Sequence, residues 1–141
     1  MSEIHTLSDN ITYKASFNGA TANSTQTGGA IDTLGYRRAT AVFTVTPGGS
    51  TSTINIGITE CATSGGSYSS AITGSTLGTA LAAGSGLTSI LVDIDLSKRL
   101  RYLKPQVVGT GTDGFAAVGF LLINDENLGV SGLQDTTPQR I

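Results

Sequence analysis

What this sequence lacks narrows it first. In 141 residues there is one cysteine, Cys61, one histidine, His5, and no tryptophan. A lone cysteine cannot close an intrachain disulfide, so the fold is not held by staples. It also fits a chain made and kept in a reducing cytoplasm. Structural zinc needs about four Cys or His ligands, and the chain owns two in all, so zinc within one protomer is excluded. Nucleophilic catalysis needs a nucleophile, a base and usually an orienting group. The only imidazole, His5, stands in a polar N-terminal stretch far from Cys61. Cys61 follows an apolar strand and reads as a small buried or half-buried apolar residue rather than a reactive thiol. Charge is scarce as well: 13% of residues, against roughly 25% in an average domain. The net charge of −2 supplies neither the basic excess of a nucleic-acid binder nor an acidic tail. No run approaches the ~18–20 apolar residues of a membrane span. The polar start, Met1 to Asn10, does not read as a signal peptide. We therefore expect no cofactor, no metal, and neither nucleic acid nor membrane as partner.

What is present points to strands. The 19 glycines sit among abundant Ser and Thr, with a light core of small residues (38% hydrophobic). Thr, Ser and Gly suit strands and turns, whereas exposed helix faces need Glu, Lys, Arg and Ala. Period-two alternation runs through Ile11–Phe17, with Ile11, Tyr13, Ala15 and Phe17 on one apolar face, and through Arg38–Thr46 and Thr53–Glu60. Asn18–Gly29 reads as a loop, and Pro47-Gly48-Gly49-Ser50 as a turn that makes Arg38–Glu60 a β-hairpin. Tyr68–Thr73 reads as a short edge strand. In Gly74–Gly86, Leu77, Ala80, Leu81 and Ala82 allow at most a single helical turn. Leu87–Leu96 turns Ile90, Val92, Ile94 and Leu96 inward, with Ser89, Asp93 and Asp95 outward and Leu91 in the outward register. In Arg99–Val108, Pro105 suggests an edge or a strand start. Phe115–Ile123 is apolar enough for a central strand buried on both faces. Seven or eight such strands, spaced by turn signals, make an antiparallel β-sandwich or barrel of one domain. The boundaries fall at a polar N-terminal arm (1–10), a β domain (11–123) and a polar C-terminal tail (124–141).

The search for chemistry yields little. Asp93 and Asp95 share one strand face, and paired carboxylates serve glycosidases or bind Ca²⁺. The simpler reading is an exposed strand face that resists edge pairing. Asp125-Glu126 reads as a solvated loop. No Gly-rich segment has the Gly-Lys-Ser/Thr ending of a phosphate loop. The basic residues form two groups: Arg37 with Arg38, and Lys98, Arg99, Arg101 and Lys104 beside Tyr102. These seven are the candidate contacts with another subunit or with a capsid, pairing with acidic residues on a partner. A nucleic acid backbone is the lesser alternative.

Certain segments resemble a known family. They are Gly35 to Val45, Ile54 to Cys61, Gly65-Gly66-Ser67-Tyr68, Leu96 to Pro105, and Val118-Gly119-Phe120-Leu121-Leu122. Together they resemble the small head-decoration, or cement, proteins of tailed bacteriophages, over about 30–123. The resemblance implies a jelly-roll-like β-sandwich with no catalytic residues. It also implies a homotrimer that bridges major capsid proteins on the outer surface of the virion. Two alternatives stay open: a tail or head-fibre component that binds a host surface glycan, and a small glycan hydrolase using Asp93 and Asp95.

Overall fold

Nine strands carry the chain in the computed structural model, which describes residues 11–21, 24–111 and 114–123, and of 17–21 the backbone alone. The expected arm, tail, His5 and Asp125-Glu126 lie outside these residues. The strands are β1 (Ile11–Thr21), β2 (Thr25–Thr27), β3 (Ile31–Asp32), β4 (Arg38–Thr46), β5 (Thr53–Cys61), β6 (Leu81–Ala82), β7 (Thr88–Asp95), β8 (Tyr102–Thr110) and β9 (Phe115–Ile123). A 3-10 turn, Leu96–Lys98, is the one helical piece among the described residues. Asp95 caps that turn by accepting from the Ser97 amide at 2.9 Å.

The alternation in β4 shows why these segments are strands. Ala39, Ala41, Phe43 and Val45 are buried, while Arg38 is exposed and Thr40, Val42 and Thr44 are half-buried. Ile54, Ile56 and Ile58 of β5 are buried in the same way. These two rows come from different sheets. One sheet, A, has the order β1-β9-β4-β7; the other, B, has β2-β8-β5-β6, with β3 also on β8. All the pairings are antiparallel. The expected hairpin of Arg38–Glu60 is therefore corrected. A hairpin would pair β4 with β5, but β4 has both edges filled by β7 and β9, and β5 pairs with β8 and β6. Pro47–Ser52 instead carries the chain from one layer to the other, so both apolar rows meet in the core.

The path is that of a jelly roll: one long hairpin, turned at β5 and β6, and rolled up. Its arms pair as β5 with β6, β4 with β7, β2 and β3 with β8, and β1 with β9. Phe43, Phe120, Ile54, Ile56, Ile58, Leu103 and Leu122 fill the space between the layers. Burying each of the larger side chains contributes about 1.5–3 kcal/mol.

Several other expectations change. The Asn18–Gly29 loop holds the end of β1 and the whole of β2. Tyr68–Thr73 supplies only an isolated bridge, Ala71 to Thr59. Leu81 and Ala82 form a two-residue strand, not a helical turn. The apolar face of β1 points out of the sandwich: Tyr13 is 61% exposed. Phe115–Ile123 is central as expected, between β1 and β4, but of its outward residues only Gly119 is buried; Phe115, Ala117, Leu121 and Ile123 are half-buried or exposed.

Pro105 lies in the middle of a central strand, which its missing N–H should forbid. The register explains it. β3 covers β8 at Tyr102 and Leu103, and β2 covers it at Gln106 to Val108. Pro105 falls in the gap between the two, where its carbonyl accepts from Gly28 N–H at 2.9 Å. The missing donor thus faces an interruption that already exists.

Because β6 is so short, much of the β5 edge is closed by other groups. Ile58 N–H donates to Ser75 Oγ at 3.0 Å, and Ile72 N–H donates to the Ile58 carbonyl at 2.7 Å. Asn55 Oδ1 accepts from the Leu77 and Ile56 amides at 3.0 and 2.8 Å. Satisfied edge groups leave no template for foreign strands there.

Candidate contact surface

Every described Asp, Glu, Lys and Arg lies in one half of the sandwich. That half holds the start of β4, the end of β7, the 3-10 turn, the start of β8 and the end of β5. Both ends of the described β domain, Ile11 and Ile123, pair with each other at the same place. The opposite half has no charged residue among the described ones.

The structure brings the two predicted basic groups to this one end, but from different sheets. Arg37 precedes and Arg38 opens β4 in sheet A; Arg101 precedes β8 in sheet B, and Tyr102 and Lys104 lie at its start. Backbone bonds tie these pieces together: Arg37 N–H to the Ile123 carbonyl, Leu96 N–H to the Arg37 carbonyl, and Thr33 N–H to the Arg101 carbonyl, at 2.9–3.0 Å.

Several of these cations have partners within the chain. Arg101 makes a bidentate pair with Asp32, Nε to Oδ1 at 2.8 Å and Nη2 to Oδ2 at 2.7 Å. Its guanidinium also stands 5.1 Å from the Tyr102 ring centroid. The fork geometry suits two parallel charge-assisted bonds. Held by Arg101, and by the Leu34 amide, the Asp32 carboxyl has its pKa lowered to about 2. Arg99 Nη1 donates to Glu60 Oε1 at 3.3 Å, and Glu60 Oε2 accepts from the Leu100 amide at 2.8 Å. Lys104 Nζ stands 4.3 Å from the Tyr68 ring centroid, a cation–π contact. The Tyr68 hydroxyl donates to the Thr63 and Ser64 carbonyls, and burial raises its pKa. Arg37, Arg38 and Lys98 remain exposed.

Asp32 and Glu60 are the residues that sequence reasoning passed over. Asp32 had a visible signal: it opens Asp32-Thr33-Leu34-Gly35, and its side chain accepts from the amide two residues on, a turn-forming habit of Asp. Glu60 closes β5 and carries no local signal for a partner 39 residues away.

Asp93 and Asp95 do share an exposed face, and β7 is an edge strand of sheet A. Each has a structural occupation. Asp93 accepts from Thr40 Oγ1 at 2.6 Å across the ladder. Asp95 caps the 3-10 turn, and the Ser97 amide lowers its pKa. Cys61 is half-buried, with Gly66 so close that a Cβ there would collide with its sulfur. Among the described residues no three His, Cys, Asp or Glu side chains gather as a metal site.

Comparison with known proteins adds a fold and no family. No family model and no curated protein matches this chain. The chain is similar to a solved structure of Bacillus endospore appendages, described as a novel family of disulfide-linked pili. The TM-score is 0.50 and the identity 15%, over 81% of this chain and 88% of that one. At that identity the likeness concerns the fold alone.

Proposed function

We propose that this chain is a non-catalytic structural protein of a virion, one that decorates and cements the outer surface of a tailed-phage capsid by bridging major capsid proteins. The observation that carries the reading is the use to which the charged end is put. Asp93 and Asp95, the only paired carboxylates singled out for chemistry, are taken by a ladder bond and a turn cap. Arg99 and Arg101 hold loops to strand ends. Arg37, Arg38 and Lys98 are exposed around the point where the two ends of the β domain emerge. That suits contact with a protein shell better than turnover of a small molecule. The resemblance sets the number of copies at three, and several weak contacts held in one assembly raise avidity.

The test is co-sedimentation with capsids stripped of their decoration. Saturable binding, with a rise in the temperature at which the shells rupture, is the expected result. Absence of binding across a panel of such shells defeats the reading. Turnover of a glycan that disappears in the Asp93→Ala, Asp95→Ala double variant revives the hydrolase instead.

A second reading, a subunit of a pilus or fibre, is favoured by the fold shared with the endospore appendage. The cysteine count limits it. One cysteine in these 141 residues permits one intermolecular disulfide per copy, which joins pairs and does not extend a polymer.

A further inference from the structure

We infer that two loops at the charged end, 32–37 and 96–101, form a docking tip for an acidic protein patch, and that on a capsid this tip is the part of the chain that meets the shell. The two loops are one unit. The register of β3 on β8 pairs Ile31 with Leu103 and Asp32 with Tyr102, and the bond from Thr33 N–H to the Arg101 carbonyl carries it one step on. The next step sets Leu34 opposite Leu100. Both leucines are outward, 67% and 46% exposed. The Leu96 N–H donates to the Arg37 carbonyl at 3.0 Å, which ties the loops together a second time. The same loops carry Arg37, Lys98, Arg99 and Arg101, with Asp32 the one acid in either.

The sign of the charge selects the partner. The described residues hold seven Lys and Arg against four Asp and Glu, an excess of three positive charges, in a chain whose net charge is −2. Glu60 reaches the tip from β5 but answers Arg99 alone among the cations, and Asp95 stands opposite Arg38 across the ladder. Arg99 and Arg101 are held in place by their acids and keep donors to spare. Of the five N–H groups of a guanidinium, Arg101 spends those of Nε and Nη2 on Asp32, and Arg99 spends one of Nη1 on Glu60. Donors fixed in advance lose less freedom when a carboxylate arrives. Nucleic acid is the poorer match. A strand needs aromatic faces on which its bases stack, and Arg101 and Lys104 already lie over Tyr102 and Tyr68. Apolar anchors among rim charges are instead the make-up of a protein contact.

The inference rests on the proposed reading only for the name of its partner, the shell, so its chemistry is tested first without one. The first probe is immobilised poly-L-glutamate, read by surface plasmon resonance with the full chain. A chain of net charge −2 holds a polyanion only through a segregated basic patch. The expected result is binding at about 0.01 M salt that fades toward 1 M, as the Debye length shrinks from about 30 to 3 Å. The Arg37→Glu, Lys98→Glu double variant should bind at least about tenfold more weakly, because two exposed attractions become repulsions. Leu87→Glu, an exposed position at the opposite end, should leave binding unchanged. Melting by circular dichroism establishes that each variant is folded, and Arg37→Gln, Lys98→Gln replaces the double variant if it is not. Stripped capsids are the second probe, and there Leu34→Ser, Leu100→Ser should also weaken binding, by at least about threefold. No binding to polyglutamate overturns the inference, as does a double variant that binds either probe like the parent chain. Tighter binding to single-stranded DNA than to polyglutamate at equal salt overturns it in favour of nucleic acid. Binding to polyglutamate with none to any capsid upholds the tip and defeats the proposed reading alone.

Discussion

The two ends of this sandwich solve one problem by opposite means. Each must return the chain between layers without leaving buried polar groups open. The charged end does it with side chains that reach across: Asp32 to Arg101, Glu60 to Arg99 and the Leu100 amide, Thr33 Oγ1 to the Arg101 carbonyl at 2.6 Å. The opposite end, which has no charged residue among the described ones, does it by removing side chains. Gly111 has φ of +89° and sits so close to Ser52 that a Cβ would approach its Cα to 2.7 Å. Gly114 lies against the Thr46 carbonyl, where a Cβ would come within 2.8 Å. Connections made of ion pairs respond to pH and salt. Connections made of close backbone contact respond to volume alone.

That contrast can be broken at graded points. The largest effect belongs to Gly111→Ala, which forces a side chain into the left-handed region and into a backbone neighbour. We expect a loss of about 2–4 kcal/mol in urea unfolding, the same at pH 7 and pH 4. A loss well below that would show that Gly111 does not press against Ser52 as described. Glu60→Ala comes next. It removes the partner of both Arg99 and the Leu100 amide, and about 1–2 kcal/mol should be lost at low salt. Part of that difference should vanish in 1 M salt, where the Debye length shrinks to about 3 Å.

Asp32→Asn gives the smallest effect at neutral pH and the clearest signature in acid. The folded pKa of Asp32, about 2, lies below the unfolded value of roughly 3.9. A depressed carboxylate contributes stability that is present above the unfolded pKa and lost as pH falls through the folded one. The fall in melting temperature between pH 4 and pH 2 should therefore be smaller in the variant than in the parent chain. Equal acid losses in both would remove Asp32 from the account.

The readable part of the fold was what alternation and turn chemistry encode. Ile90, Val92 and Ile94 read correctly as inward because each lies two residues from the next. Leu91 read correctly as outward for the same reason. Partnership between strands is not local, so the hairpin assigned to Arg38–Glu60 was wrong. Nothing in Pro47–Ser52 says that the strands on either side enter different sheets. Pro105 misled for a related reason, since the gap that tolerates it is made by β2 and β3, some 75 residues earlier in the chain. At the charged end the cations were legible as a group. Their acids were not, because Asp32 and Glu60 reach them only after the layers close.

The rolled path also governs how the protein is made. Ile11 pairs with Ile123, so β1, the first of the described strands, has its partner in β9, the last of them. Sheet A cannot be completed until nearly all of the β domain has been synthesised, on the order of ten seconds at roughly 5–20 residues per second. Through that interval β1 and β4 wait with open edges, and the β4 edge is apolar. Non-local pairing of this kind also folds slowly once complete. A circular permutant that joined β1 and β9 through a short loop would shorten that wait without altering a single contact in the core.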